Sequence, residues 1–164
     1  MIKKIGLFFL CFPLVMFVIE TLFFIIGWHV NCFAFIFAFI LVIGYILRNT
    51  SKNIRLKSIC WFVGITLASI FIGANVYDAS YDGQWYHSSI IKLMNDGWNP
   101  FYHPILQQDE VPYYTNTHIW VSHYAKGMET IEAGIVALTG NLESGKTLNI
   151  FLAVSLFCFA FDFI

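Results

Sequence analysis

The hydrophobic pattern of this 164-residue chain is dominated by long apolar stretches that few polar residues interrupt. Their lengths approach or exceed the roughly 18 residues that a helix needs to cross a bilayer. None of them alternates apolar and polar residues with a period of two, so the pattern favours helices over barrel strands. It predicts an all-α membrane protein with about four transmembrane helices, over residues 5–27, 30–47, 59–76 and 148–164.

Composition agrees with a membrane protein, because 59% of the residues are hydrophobic and 12% are charged, against about a quarter charged in a soluble domain. The first stretch is too long for a cleaved signal peptide and no small-residue cleavage site follows it, so we expect a retained anchor helix. The four cysteines lie in apolar stretches without a close pair, which predicts neither a disulfide framework nor a zinc site.

The charged residues indicate an orientation. Basic residues precede the first predicted span and separate the second from the third (Lys3, Lys4, Arg48, Lys52, Arg55 and Lys57). Lys and Arg in short loops mark the cytoplasmic side of a membrane. The amino terminus is therefore predicted to be cytoplasmic and residues 77–145 to lie outside. This outer loop also holds eight of the ten acidic residues.

The outer loop has a helical pattern of its own. Residues 88–96 predict a short amphipathic helix at the membrane interface that ends at Gly97, and residues 122–138 predict a second helix that ends at Gly140. The prolines between them mark an irregular loop over residues 99–116. Aromatic residues typical of the headgroup region are frequent here (Trp98, Phe101, Tyr102, Tyr113, Tyr114, Trp120 and Tyr124). We expect a single membrane domain over residues 1–164.

Two carboxylates, Asp78 and Asp82, directly follow the third predicted span. Acidic side chains at a membrane surface are costly to desolvate, so such a pair indicates chemistry or a bound cation. Their spacing of four residues would place them on one face of a helical turn. They can then shift each other's pKa or hold a divalent cation through oxygen. The alternative is that one carboxylate caps the next helix and the other is solvated.

The run Asp82–Met94, with an acidic residue, aromatic residues shortly after it and then a helix, resembles the first outer loop of GT-C type integral membrane glycosyltransferases. The runs His123–Gly127 and Leu138–Lys146 are similar to the return from loop to helix in that superfamily. The resemblance covers about residues 59–164. It implies transfer of a sugar from a polyprenyl-phosphate donor to an acceptor on the outer face of a bacterial inner membrane.

The chain departs from the GT-C pattern in its membrane helices. Two predicted spans precede the one that is usually first, and members of the superfamily usually have eight or more spans. We therefore expect the chain to be the amino-terminal part of a larger multi-span enzyme.

The resemblance implies roles for five residues. Asp82 is the first candidate and Asp78 the second for the general base that activates the acceptor. Tyr86 and His87 would orient the substrate, and Lys126 would contact the donor phosphate as it leaves. The alternative is that Tyr86 and His87 are ordinary interfacial residues and that Lys126 is a solvated surface lysine.

No firm cofactor follows from the sequence, although a divalent cation stays open. His103, His118 and His123, with Asp109 and Glu110, match no standard zinc spacing, so no metal site is predicted. Residues 140–147 match the phosphate-binding P-loop pattern. That loop must follow a strand and open an α/β domain, whereas here an apolar stretch follows, so we predict a helix start with Ser144 as N-cap and Lys146 at the interface, and no nucleotide.

Two other functions compete with the glycosyltransferase. A non-catalytic accessory subunit of envelope assembly would fit a short chain with about four spans. A fragment of a transporter would use the acidic cluster as a cation site, but it needs polar residues in its spans. Glu20 is the main polar residue there, so this function ranks last.

Overall fold

The computed structural model describes residues 2–111 and 116–163. All regular secondary structure in these two ranges is helical, which confirms the all-α prediction. The described residues form seven α-helices: α1 Ile2–Ile25, α2 Phe33–Asn49, α3 Lys52–Asn75, α4 Ser88–Asn95, α5 Thr117–His123, α6 Gly127–Thr139 and α7 Thr147–Phe163.

Three helical segments are long and apolar enough to cross a membrane: Ile2–Ile25, Lys52–Asn75 and Leu142–Asp162. The second predicted span corresponds to α2, which has 17 residues and is shorter than these three. The count of four spans therefore stays a prediction. The last residue of the fourth predicted span, Ile164, lies outside the described residues.

The third predicted span begins too late. Helix α3 starts at Lys52 rather than near residue 59, so Lys52, Arg55 and Lys57 belong to its first turns. Only Thr50 and Ser51 separate α2 from α3. Lys and Arg are good helix formers whose charged ends reach water from a helix terminus, so a basic segment extends the helix.

Helix α1 is at the centre of a helical bundle that it forms with α2, α3 and α7. Phe12 lies in the middle of its core, where the ring meets Phe35 at 5.0 Å, Phe151 at 5.5 Å and Phe62 at 5.6 Å between centroids. These four rings come from four different helices and are almost completely buried. Aromatic packing therefore holds the bundle together.

Residues 77–111 and 116–146 form a second layer at one end of this bundle, which we call the polar layer. Lys4 Nζ donates to the Asn49 carbonyl and Lys3 pairs with Asp162 at the opposite end. The basic ends of the helices thus lie far from the acidic residues of the polar layer. The predicted orientation in the membrane depended on this separation of charges.

The polar layer is attached to the bundle through carbonyl groups at helix ends. Helix α1 ends in a Schellman motif, in which Gly27 has a φ of 84° and the Trp28 N–H donates to the Phe23 carbonyl at 2.8 Å. Asn99 Nδ2 donates to the carbonyls of Phe24 and Trp28, both at 3.0 Å. These bonds satisfy groups that a helix end leaves without a partner.

Helix α4 confirms the predicted amphipathic helix and its end at Gly97, whose φ is 107°. Its apolar side chains, Ile90, Ile91 and Met94, are buried in a second core that α6 shares. The chain is already helical from residue 81, and Gly83–His87 forms a π-helical turn that leads directly into α4.

The predicted helix over residues 122–138 is wrong in one respect, because the structure contains two helices there. Helix α5 ends at His123 and α6 begins at Gly127, although α6 ends at Gly140 as predicted. Lys126 explains the break, since its Nζ donates to the carbonyls of Ser122 and Tyr124, both at 2.9 Å. The side chain thereby closes α5 instead of extending it.

In the described part of the predicted loop, residues 99–111 and 116, Gln108–Glu110 form a short 3₁₀ turn. Pro112, Tyr113 and Tyr114 lie outside the described residues.

Candidate functional site

An open cleft of about 650 Å³ lies in the polar layer, where the end of α3 meets the π-helical turn, α6 and the segment before α7. This volume is in the range of small-molecule sites. Charged side chains line it from four segments of the chain: Asp78, Asp82, His87, Glu132, Glu143 and Lys146. Three of the five residues predicted as site residues, Asp78, Asp82 and His87, therefore meet at one cleft.

Asp78 organises the start of the helical run. Its Oδ1 accepts the Ser80 N–H at 2.8 Å, and Ser80 Oγ accepts the Gly83 N–H at 3.1 Å as an N-cap does. Ser80 holds the pKa of Asp78 below its ordinary value through its backbone and side-chain hydrogen bonds. The spacing of four residues predicted that Asp78 and Asp82 share one face of a helix. This prediction is wrong, because the helical run begins only after Asp78.

Gly83 permits this geometry. A Cβ atom there would lie 2.0 Å from Asp78 Oδ2 and 2.4 Å from Ser80 Oγ. Any other residue would push the carboxylate away from the turn. The π-helical conformation that starts here is rare in proteins and often occurs at functional sites.

Asp82 differs from Asp78 in its surroundings. The residue is exposed and lines the cleft. Within residues 2–111 and 116–163, its carboxylate takes part in no hydrogen bond or ion pair. The alternative interpretation assigned the helix cap to one of the two carboxylates. The cap is instead the hydroxyl of Ser80, whose backbone N–H donates to Asp78. Asp82 is therefore the carboxylate of the pair that is available to a ligand.

His87 forms a pair with Glu129, which the sequence analysis missed. His87 Nδ1 lies 2.5 Å from Glu129 Oε1, and the side chains are 37% and 3% exposed. Glu129 stands in the first turn of α6, 42 residues further along the chain. The sequence does contain a local signal for Glu129. Glu129 and Glu132 are three residues apart, so they share one face of an otherwise apolar helix.

Glu132 lines the same cleft from α6 and also escaped the sequence analysis. Burial, together with the negative charges of Glu129 and Asp78, raises its pKa to about 8. Near neutral pH this side chain is then largely a neutral acid beside the ionised Asp78. The two carboxyl groups thus differ in protonation because their environments differ.

Glu143 and Lys146 close the cleft on the side of α7. Lys146 Nζ donates to Glu143 Oε2 and to the Val76 carbonyl at the end of α3. Glu143 Oε2 also accepts the Asp78 N–H at 3.1 Å. The charge of Lys146 is therefore used within the protein, where it ties α3 to the start of α7.

Residues 140–147 do not have the surroundings of a P-loop, because they follow helix α6 and their middle part, Leu142–Lys146, is a 3₁₀ turn. The predicted N-cap is wrong. Asn141 caps this turn by accepting the Glu143 N–H at 2.9 Å, whereas the Ser144 hydroxyl donates to the Asn141 carbonyl at 2.7 Å.

Tyr86 is buried beneath the cleft, among aromatic rings of α5. Its ring lies 4.9 Å from that of Tyr124 and 6.1 Å from that of Trp120. The side chain of Tyr124, burial and the charges of Asp82 and Glu129 raise the pKa of Tyr86 to about 12. The Tyr86 ring packs against the ring of the neighbouring His87, and the two centroids are 4.3 Å apart.

Lys126 lies outside the residues that line the cleft. Besides closing α5, its Nζ stands 5.6 Å from the centroid of the Trp98 ring. Burial lowers the pKa of Lys126. Its predicted contact with a donor phosphate stays a prediction that the observed contacts do not favour.

Metal ligands are not gathered in the part of the chain that the structure describes, where no group of three His, Cys, Asp or Glu side chains has the arrangement of a metal site. His103 pairs instead with Glu110 at 2.9 Å, and His118 contacts Gln108 at 2.6 Å. The cleft contains four carboxyl groups (Asp78, Asp82, Glu132 and Glu143), a histidine held by a carboxylate and a lysine that is already paired.

Comparisons with known proteins add no assignment: no family model matches the chain, and neither a curated protein sequence nor a solved structure is significantly similar to it.

Proposed function

We propose that this protein is an integral membrane glycosyltransferase of the GT-C type, which transfers a sugar from a polyprenyl-phosphate donor to an acceptor at the outer face of a bacterial inner membrane. The single observation that carries the proposal is the free, exposed carboxylate of Asp82 in a cleft at the end of a candidate membrane helix.

The membrane location rests on the surfaces of the long helices. Large apolar side chains are exposed along α1, α3 and α7, among them Leu14, Val18, Leu67, Phe71 and Leu156. Such residues fit lipid tails. Six of the nine basic residues lie near the end opposite to the polar layer, which supports a cytoplasmic amino terminus and a polar layer outside.

The chemistry follows from the two ends of the substrate. Asp82 accepts the proton of the acceptor hydroxyl while the acceptor oxygen attacks the anomeric carbon of the sugar. The bond between that carbon and the phosphate oxygen breaks, and the lipid phosphate leaves with its electron pair. A site of about 650 Å³ at the membrane surface accommodates a sugar while the lipid stays in the bilayer.

The test is a transfer assay with the protein expressed from its native reading frame in membranes, supplied with labelled polyprenyl-phosphate sugars. Asp82→Asn removes the base and keeps the size of the side chain, so transfer falls by roughly a hundredfold or more. Asp96→Asn is the matched control, because Asp96 is also exposed in the polar layer but does not line the cleft. Equal activity of the two variants contradicts the proposal.

A non-catalytic accessory protein of the cell envelope is the second candidate. It is favoured by the contacts of Asp78, Lys126 and Lys146, all of which serve the structure of the polar layer. In that case the double variant Asp78→Asn/Asp82→Asn supports envelope assembly as well as the native protein does.

A further inference from the structure

We propose that His87, held in place by Glu129, is the group that contacts the phosphate of the lipid-linked donor in the cleft. This inference rests on the proposed function and deepens it, because it names the residue at the leaving group. It replaces the predicted contact of the phosphate with Lys126.

The geometry of the pair fixes the histidine ring. Glu129 is buried and holds Nδ1 at 2.5 Å. Tyr86 lies against the ring at 4.3 Å and Tyr124 meets it edge-on at 6.4 Å. A carboxylate that accepts from Nδ1 sets the tautomer and the orientation of an imidazole. The other edge of the ring, with Nε2, is then left for the cleft that His87 lines.

The phosphate needs a hydrogen-bond donor with positive charge, since negative charge develops on it as the sugar leaves. Lys146 is already bound to Glu143 and to the Val76 carbonyl, and Lys126 lies outside the cleft. Within the described ranges, Nε2 of His87 has no hydrogen-bond partner. A ring that carries a proton on each nitrogen donates its Nδ1 proton to the Glu129 carboxylate and presents its Nε2 proton to the phosphate.

The step balances in protons and electron pairs. The acceptor oxygen forms a bond to the anomeric carbon and its proton passes to Asp82. The bond from that carbon to the phosphate oxygen breaks and leaves its electron pair on the oxygen. In the reacting state the His87 ring carries a proton on each nitrogen; its Nε2 proton forms a hydrogen bond to this oxygen and is transferred to it, which leaves the neutral ring with its Nδ1 proton hydrogen-bonded to Glu129. Each residue returns to its starting state by exchange of a proton with water.

Binding of a defined probe tests the contact without any need for transfer. The full chain in lipid nanodiscs is titrated with farnesyl phosphate, and farnesol serves as the probe without phosphate. We expect His87→Gln and Glu129→Gln each to lower the affinity for farnesyl phosphate by roughly tenfold or more. This is the effect of losing one charge-assisted hydrogen bond. Farnesol binding stays unchanged, which also shows that the variants are folded.

Glu110→Gln is the matched control, because Glu110 forms an exposed pair with His103 outside the cleft. Farnesyl phosphate binds this variant as tightly as the native protein. Equal binding by native protein, His87→Gln and Glu129→Gln overturns the inference. Inorganic phosphate is added as a competitor; displacement of the probe at equal concentration assigns the site to free phosphate and overturns the lipid assignment.

A spectroscopic measurement tests the positioning role of Glu129. In ¹⁵N spectra of the histidines, the native protein carries a proton on Nδ1 of His87, whereas Glu129→Gln shows a mixture of the two tautomers. A mixture in the native protein overturns this role.

If farnesyl phosphate binding depends on the pair but no sugar transfer occurs, the proposed function fails and the phosphate contact stands. If transfer depends on Asp82 but not on His87 or Glu129, the inference fails and the function stands.

Discussion

The helical bundle and the polar layer of this protein are built from different interactions. In the bundle, apolar rings such as Phe12, Phe62 and Phe151 interlock between helices. In the polar layer, single side chains bind particular backbone groups over long sequence distances, as Asn99 does with Phe24 and Asn141 does with the Ala74 carbonyl. The first kind of contact tolerates changes of sequence that conserve volume, whereas the second depends on individual atoms.

This difference indicates that functional side chains belong in the polar layer rather than in the bundle. Loops and short helices on a rigid support commonly carry functional side chains. Here the bundle is the support, and within it Gly73 lets α3 approach the start of α7 closely, since a Cβ at this position would lie 2.8 Å from Thr147 Oγ1. The cleft of the polar layer begins just beyond that contact, at Tyr77.

The largest effect on stability is expected in the bundle. Phe12→Ala removes a ring that is 0% exposed and packs against four others, so it lowers the free energy of unfolding by about 3–5 kcal/mol. Thermal unfolding in detergent measures the loss. A change of less than about 1 kcal/mol would show that the bundle is not held by this core.

A smaller loss of stability, with a larger loss of function, is expected at the turn beneath the cleft. Gly83→Ala forces apart Asp78 and Ser80 and costs about 1–3 kcal/mol, as overpacking does. Phosphate-probe binding falls as well because the cleft changes shape. Gly44→Ala is the control, since a Cβ there meets nothing within 4 Å; if both variants bind the probe normally, the turn does not shape the site.

Asn99 tests how the two layers are joined. Asn99→Ala removes the side-chain donor from the carbonyls of Phe24 and Trp28, of which Phe24 keeps the Gly27 N–H, and lowers stability by about 1 kcal/mol. Asn75→Ala is the matched change, because that side chain binds only Phe71 of its own helix. Hydrogen exchange at the end of α1 should rise in Asn99→Ala, and an equal rise in both variants would refute the joining role.

The last effect depends on pH. Burial raises the pKa of Glu132 from 4.5 to about 8, so the folded protein holds one proton more than the unfolded chain between these values. Stability from this group is fully present below pH 4.5 and falls as the pH rises towards 8, by at most about 1.4 kcal/mol per unit. Glu132→Gln removes this slope from the unfolding profile; an unchanged slope would place the titration elsewhere.

Local sequence signals predicted much of the fold. Glycines that must adopt positive φ, such as Gly97 and Gly140, marked helix ends correctly because this conformation is local. The start of α3 was predicted too late because charged residues were assigned to a loop although they propagate a helix well. The division of α5 from α6 depends on the reach of the Lys126 side chain to Ser122, which hydrophobic periodicity does not contain.

The candidate site was predictable only in part, for the same reason. Asp78 and Asp82 follow an apolar stretch, so their position alone indicated a site. The pairing of Glu129 with His87, which joins residues 42 positions apart, became visible only in the structure. Such contacts depend on how α6 packs against α4, and neither periodicity nor composition specifies that packing.

The central claim is that Asp82 serves chemistry whereas Asp78 serves structure, and one paired measurement tests it most directly. Asp78→Asn and Asp82→Asn are compared in both sugar transfer and thermal unfolding. The account predicts that Asp82→Asn loses transfer by roughly a hundredfold with an unchanged melting temperature, and that Asp78→Asn lowers the melting temperature. Normal transfer by a stable Asp82→Asn protein would contradict it.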